Sequence, residues 1–312
     1  MANRSSNDAW NGSGAMIISA SRRTDIPACY PEWFMNRIRE GFFHTRNPFN
    51  PKQVSSHSLL PRDVDAIVFW TKNPKPLTAH LPELDRRGYR YYFQYTLNDY
   101  PSWLEPRLPP VDERIQSFIE LSTVLGPERV IWRYDPIILS TETPVDYHIE
   151  RIGSIAQRIS GHTERLTISF LDVYSKIKSR LRKIEQDRQI RLWDVVDGHH
   201  GDDLDRLCRM IGEIGVQGGL EVVTCAEEVD LSRFGIHAGS CIDARLIGRL
   251  TGSDEDLIKD PGQRSACLCA VSVDMGAYNT CRNGCTYCYA NLGEEVVARN
   301  VRSHSVTSPA LV

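Results

Sequence analysis

Three cysteines near the C-terminal end, Cys281, Cys285 and Cys288, follow a C-x3-C-x2-C spacing. Thiolates this close in sequence can converge on one metal centre. Soft sulfur ligands favour iron–sulfur clusters, zinc or copper(I). Gly284 sits between two of them, where glycine lets the loop turn tightly. Three thiolates are one short of the usual four for a cubane cluster or a structural zinc. A cubane held by three leaves one iron open to an outside ligand, which is a catalytic layout by the logic that separates open from closed zinc sites. A zinc site completed by another Cys or His, or merely buried thiols, are the alternatives.

The chain of 312 residues has nine cysteines. Cys208 lies on an apolar helical stripe and is expected in the core. Cys29, after Ile26-Pro27-Ala28, reads as structural. That leaves Cys225, Cys241, Cys267 and Cys269. Four is the number a closed second iron–sulfur cluster or a zinc site needs. Buried or loop thiols are the bland alternative. The opening residues lack the apolar stretch of an export signal, so a reducing cytoplasm is expected and disulfides explain the cysteines poorly.

Other chemistry-bearing side chains follow short apolar runs. The runs expected as strands are 16–20, 66–70, 91–97, 130–133, 166–170 and 220–224, with a weaker seventh at 270–273. They are β-branched, aromatic and mostly continuously apolar, which suits strands buried on both faces of a parallel sheet. Ser21-Arg22-Arg23-Thr24-Asp25 follow the first run, and Thr71-Lys72-Asn73 the second. Asn98 closes the third, Arg133-Tyr134-Asp135 the fourth, Ser169 and Asp172 the fifth, and Cys225 and Glu227 the sixth. In a parallel βα fold these points share the carboxyl edge of the sheet, where active sites are built. One ligand-filled mouth is expected there; ordinary loop solvation is the competing account.

Amphipathic stretches lie between the runs. Residues 111–125 carry a helical stripe stopped by Gly126-Pro127, and Thr143-Pro144 reads as a helix start. Glu294-Glu295 suit the first turn of a helix. The alternation predicts an α/β fold, a βα-repeat forming a partial or full TIM-type barrel or an open sheet, over residues 16–300. Residues 1–15 and 301–312 are expected as tails.

Lys and Arg number 37 against 40 Asp and Glu, so the net charge is −3. Binding nucleic acid through bulk charge is disfavoured. Residues 176–191 form a basic stretch, read as a solvated helix or, more sharply, as a phosphate-facing insertion. No run is apolar enough to span a membrane. Motifs for zinc proteases, serine hydrolases, P-loops and dinucleotide folds are missing, and His199-His200 between glycines reads as a loop.

The string Tyr278-Asn-Thr-Cys281-Arg-Asn-Gly-Cys285-Thr-Tyr287-Cys288 resembles the cluster loop of radical S-adenosylmethionine enzymes, notably the spore photoproduct lyase-like branch. The whole chain also resembles the bacterial family designated domain of unknown function 1848. The matching strings include SASRRTDIPA (19–28), FWTKNP (69–74), WRYDPII (132–138) and ISFLDVYSK (168–176). The radical-enzyme resemblance implies that Cys281, Cys285 and Cys288 hold a [4Fe–4S] cluster whose open iron chelates S-adenosylmethionine. Tyr287 would lie near the adenine. By position, Arg22, Arg23, Lys72, Asn73, Arg133 and Asp135 are candidates for the methionine carboxylate and ribose, and Arg suits a carboxylate through its fork. The cofactor would yield a 5′-deoxyadenosyl radical, fed by an electron donor such as flavodoxin or ferredoxin.

One departure stands out. Typical members carry this loop after their first strand, whereas here it lies near the C-terminus. A circular permutation of a closed or nearly closed barrel accounts for it, with the run at 270–273 as the usual first strand. The substrate is open. A nucleic-acid lyase and a small-molecule or peptide modifier are both compatible, with nucleic acid not favoured. The rival class is a non-catalytic or redox iron–sulfur or zinc protein. Tyr134, Tyr174, Cys29 and Cys225 are all conceivable hydrogen donors.

Overall fold

Eight parallel strands hydrogen-bond into one sheet. Numbered in chain order, they are β1 Met16–Ala20, β2 Val64–Thr71, β3 Tyr91–Thr96, β4 Val130–Ile137, β5 Arg165–Phe170, β6 Glu221–Cys225, β7 His237–Gly239 and β8 Val273–Asp274. The computed structural model describes residues 16–47, 50, 52–173, 175–194, 200–253 and 257–312. The expectations for residues 1–15, Tyr174 and His199 lie outside that set.

The order across the sheet is β8-β1-β2-β3-β4-β5-β6-β7. The last strand in the chain thus pairs with the first, Ile18 opposite Val273 and Ser19 opposite Asp274. Every other neighbour is sequential, as right-handed βα units produce. Among the described residues the sheet does not close into a barrel, and β7 and β8 are its two edges. The expected runs are present with changes of boundary, except that the weak seventh, expected at 270–273, is a two-residue strand sharing only Val273 with that run. The segment HAG at 237–239 has no apolar run, so β7 was invisible; register with Val223 to Cys225 creates it.

Alternation along the strands divides the core. Ile18, Phe69, Phe93, Trp132, Tyr134 and Ile168 face the larger cluster, with Trp33, Phe118, Ile152 and Leu207. These last come from helices Pro31–Glu40, Val111–Leu125, Val145–Arg158 and Gly201–Gly218. Ile17, Val68, Tyr92 and Ile131 face the other way. That second face is covered by Cys241, Ile242, Leu246, Ile247, Cys267 and Cys269, partly on helix Ala244–Thr251. Cys208 is fully buried in the larger cluster, as its stripe predicts, and burial pushes its thiol up to about 12.

Two local expectations need correction. Thr143 does not cap a helix: its hydroxyl donates to Ile138 O at 2.7 Å, and the helix starts at Val145 after Pro144. Residues 301–312 are not a free tail either. Val301 to Ser303 finish helix Glu294–Ser303, and Ala310 and Leu311 are buried. Trp33 Nε1 donates to Ser308 O, Arg37 Nη2 to Thr307 O, and His44 N to Pro309 O. Small polar residues concealed this, because main-chain carbonyls do the pairing. Among the described residues no helix is long and apolar enough to cross a membrane.

Candidate functional site: a cysteine loop at the carboxyl edge of the sheet

The loop that carries Cys281, Cys285 and Cys288 leaves the carboxyl end of β8. Asp274 fixes that exit. Its carboxylate accepts from Ser19 Oγ (2.9 Å), Ser21 Oγ (2.7 Å), Arg22 N (2.9 Å) and Gly276 N (2.9 Å). These bonds lock β8 to the turn after β1, so the two ends of the chain build one site. Thr24 Oγ1 bonds Ala277 O and Thr280 Oγ1, and Tyr30 Oη donates to Thr280 O.

The loop is held from three further sides. Asn283 Nδ2 donates to Asp25 at 2.9 Å, and Asp25 also accepts from Lys72 N and caps the short helix Ile26–Cys29 through Ala28 N. Burial pushes the Asp25 carboxyl up despite these bonds. Thr286 N donates to Leu104 O at 3.0 Å. Gly284 has φ +72°, the turn its position predicts, and a Cβ there would crowd Arg107 Cδ at 3.3 Å. Arg180, from helix Ser175–Arg188, donates to the carbonyls of Thr286 and Cys288, both at 3.1 Å, and to those of Asn291 and Leu292. The basic stretch forms the solvated helix expected, with only Ile177 and Leu181 buried on it, and in addition its Arg180 grips the cysteine loop.

The three thiols are half-buried and feel one another's charge. Cys281 is held well above the usual thiol range by its hydrogen bond with Cys29, then by burial. Burial also raises Cys285 and Cys288. Cys29, expected to be only structural, is thus a fourth thiol beside the triad. Among the described residues no group of three or more His, Cys, Asp or Glu is already set to hold a metal ion.

The polar residues at the strand ends form two linked groups. In the first, Lys72 Nζ pairs with Glu105 Oε1 at 2.8 Å, and Tyr287 Oη donates to the same oxygen. Lys72 also lies over the Tyr287 ring at 5.7 Å. Burial alone would raise Glu105; Lys72 and Arg114 outweigh it and hold the carboxylate low. Burial likewise disfavours the Lys72 cation, and Glu105 and Cys285 outweigh it. Removing one partner of so buried a pair typically costs about 3–5 kcal/mol. In the second group, Arg133 pairs with Asp135, which also accepts from Ser169 Oγ. Arg133 Nη1 donates to Gln94 Oε1 and to Cys241 Sγ at 2.8 Å. Asn98 Nδ2 links the two groups, donating to Glu105 Oε1 at 3.4 Å and to Asp135 O at 3.1 Å.

The remaining candidates are dispersed. Arg22 lies over Trp70 at 5.5 Å, and its Nη2 is buried without a hydrogen-bond partner. Arg23 stacks over Tyr278 at 5.0 Å. Asn73 is committed to its own turn, Oδ1 accepting from Lys75 N at 3.3 Å. Glu294 and Glu295 open helix Glu294–Ser303 as predicted, and Glu294 pairs with Arg107.

The family model for the domain of unknown function DUF1848 matches residues 17–290. The chain belongs to the DUF1848 family. No curated protein matches it. A solved Bacteroides thetaiotaomicron protein proposed to be an alpha-L-fucosidase is similar over 96% of this chain and 98% of its own. At 11% identity and a TM-score of 0.31, that likeness carries no argument about fold or activity.

In this DUF1848 chain, sequence reasoning missed Glu105, Asp274, Asn283 and Arg180. Glu105 sits in a proline-rich turn with no periodic signal. Asn283 and Asp274 lie inside or beside the motif and could have been suspected on that ground. Arg180 was one of many basic residues on its helix, with nothing local to single it out.

Proposed function

We propose that this chain is a radical S-adenosylmethionine enzyme, built on a partial βα barrel permuted so that the cluster loop comes last. One observation carries the reading. The C-x3-C-x2-C loop follows β8, and β8 pairs in parallel with β1. In space the sheet therefore runs from the loop-bearing strand through β1 to β7, although that strand is last in the chain.

Cys281, Cys285 and Cys288 would hold a [4Fe–4S] cluster. The donor set fits: three half-buried thiols on one braced loop, at the polar edge of a parallel sheet. When bound, the cluster and S-adenosylmethionine supply one-electron cleavage of the sulfonium and a 5′-deoxyadenosyl radical that takes hydrogen from a substrate. The chain's own residues do the positioning. Lys72, Glu105 and Tyr287 fix one wall. Arg22 Nη2 is a buried donor without a partner, suited to a carboxylate. Arg133 and Asp135 hold each other, so they shape the mouth and are less free to bind. The basic helix spends Arg180 on the loop and Arg188 on Glu142, which favours a small molecule or peptide over nucleic acid as substrate.

A second reading rests on Cys29. With its free thiol beside the loop, reaching Asn283 Oδ1 at 3.9 Å, Cys29 would make four cysteines available for a closed, purely redox cluster. Electron paramagnetic resonance of the reduced, reconstituted protein separates the two. An open iron gives a signal that changes when S-adenosylmethionine is added. A signal that ignores S-adenosylmethionine, and changes in Cys29→Ser, means the closed cluster.

A further inference from the structure

The second face of the sheet carries four more thiols, on segments far apart in sequence. Cys225 ends β6, Cys241 follows β7, and Cys267 and Cys269 precede β8. The Sγ atoms of Cys225 and Cys241 are 3.1 Å apart. Cys241, Cys267 and Cys269 lie in one buried cluster, with Cys225 packed against it. Ile242 N donates to Cys269 Sγ at 3.4 Å. Cys241, Cys267 and Cys269 are buried and Cys225 is partly so.

Two guanidinium groups face this row. Arg133 Nη1 is 2.8 Å from Cys241 Sγ. Arg22, with Nη2 buried and unpartnered, has Cys269, Cys241 and Cys267 among its electrostatic neighbours. Neutral thiols are weak acceptors and give buried cations little in return. Thiolates would satisfy them, and four thiolates together require a metal.

We propose that Cys225, Cys241, Cys267 and Cys269 bind a single zinc-type divalent ion that ties together the two edges of the sheet. Spacing selects one ion over a cluster. Tetrahedral zinc with Zn–S bonds of about 2.3 Å sets its sulfurs roughly 3.8 Å apart, so the 3.1 Å contact of Cys225 with Cys241 is on the scale of one ion and the row must open slightly to close around it. A cubane spreads its cysteine sulfurs much wider. Location supplies the role. β7 and β8 are the edges of the sheet among the described residues, and the backbone bond Ala270 N to Ile242 O at 3.0 Å joins the segments beside them. Binding replaces four thiol protons with one metal ion and closes the row into a tetrahedron. This site uses none of the triad, and the one residue it shares with the radical-enzyme reading is Arg22, whose unpartnered Nη2 would turn to the thiolates here.

The test is metal analysis of the full-length chain, native and with Cys281, Cys285 and Cys288 all replaced by Ala, after growth with zinc. Both are expected to retain about one zinc per chain, and Cys241→Ser added to the triad variant is expected to lose it. Cobalt(II) loaded into the triad variant is expected to give the intense near-ultraviolet absorption of a tetrathiolate site. This readout holds even where Cys241→Ser fails to fold. Three results would overturn the proposal. Iron with sulfide retained by the triad variant means a cluster. A Cys225–Cys241 disulfide in the native chain means redox pairing. Free alkylation of all four cysteines after zinc loading means no site.

Discussion

His148 lies between two partners that fix its protonation. Its Nε2 is 2.9 Å from Ile138 O, a carbonyl that can only accept, so Nε2 carries the proton. Nδ1 then accepts from Tyr134 Oη at 3.0 Å. The ring is neutral, and burial lowers its pKa from 6.5 to about 4. The unfolded chain takes up a proton near 6.5 that the folded chain refuses until near 4. Stability is therefore complete above 6.5 and is lost as pH falls through that window, by about 3 kcal/mol at most. Urea unfolding at several pH values is expected to show this slope, and His148→Gln to flatten it. An unchanged slope in the variant would contradict the assignment. The same bond engages Tyr134, which makes it a poor hydrogen donor to a substrate. At this scale the cysteine triad was legible because its members are local in sequence. Asp274 was not, since its serine partners are 253 and 255 residues away. Glu105 gathers Lys72, Asn98 and Tyr287 from three separate segments, and no local pattern encodes such a meeting.

Among the elements, the six interior strands could be read directly because residues on both faces are apolar and buried. The edge strands β7 and β8 are two to three residues long and depend on register with neighbours. The basic helix Ser175–Arg188 shows how composition misleads about purpose. Only Ile177 and Leu181 are buried on it, so by propensity it is a solvated rod. Arg180 alone reaches four carbonyls of the cysteine loop, a contact fixed by where the helix lies and not by its charge. Arg180→Ala is expected to leave the global stability almost unchanged, because the lost contacts are partly exposed. Hydrogen exchange across residues 281–292 is expected to quicken several-fold in the variant. Equal protection in both proteins would show that Asp25, Leu104 and Asp274 hold the loop unaided.

At the scale of the whole molecule, residues 307–309 bond to Trp33, Arg37 and His44 in the early described elements. The C-terminal segment lies on helix Pro31–Glu40 and on hairpin Phe42–Arg46 with Val54–Ser58. Ending the chain at Ser303 removes buried Ala310 and Leu311 and uncovers Trp33. The expected cost is about 3–5 kcal/mol, measured by urea unfolding; an unchanged midpoint would show that the segment merely rests there. The α/β class was readable from alternation, but not whether the sheet closes, because closure depends on an edge pairing that no local pattern encodes. The pairing of β8 with β1 puts the cysteine loop at the edge of the sheet beside the first strand, and the radical-enzyme proposal rests on that placement. Its most direct test is anaerobic reconstitution with iron and sulfide, then S-adenosylmethionine with a strong reductant, and quantification of 5′-deoxyadenosine by mass spectrometry. The native chain is expected to produce it, and the chain with Cys281, Cys285 and Cys288 replaced by Ala is not. A fully formed cluster that yields no 5′-deoxyadenosine would contradict the account and leave a redox or structural metal protein in its place.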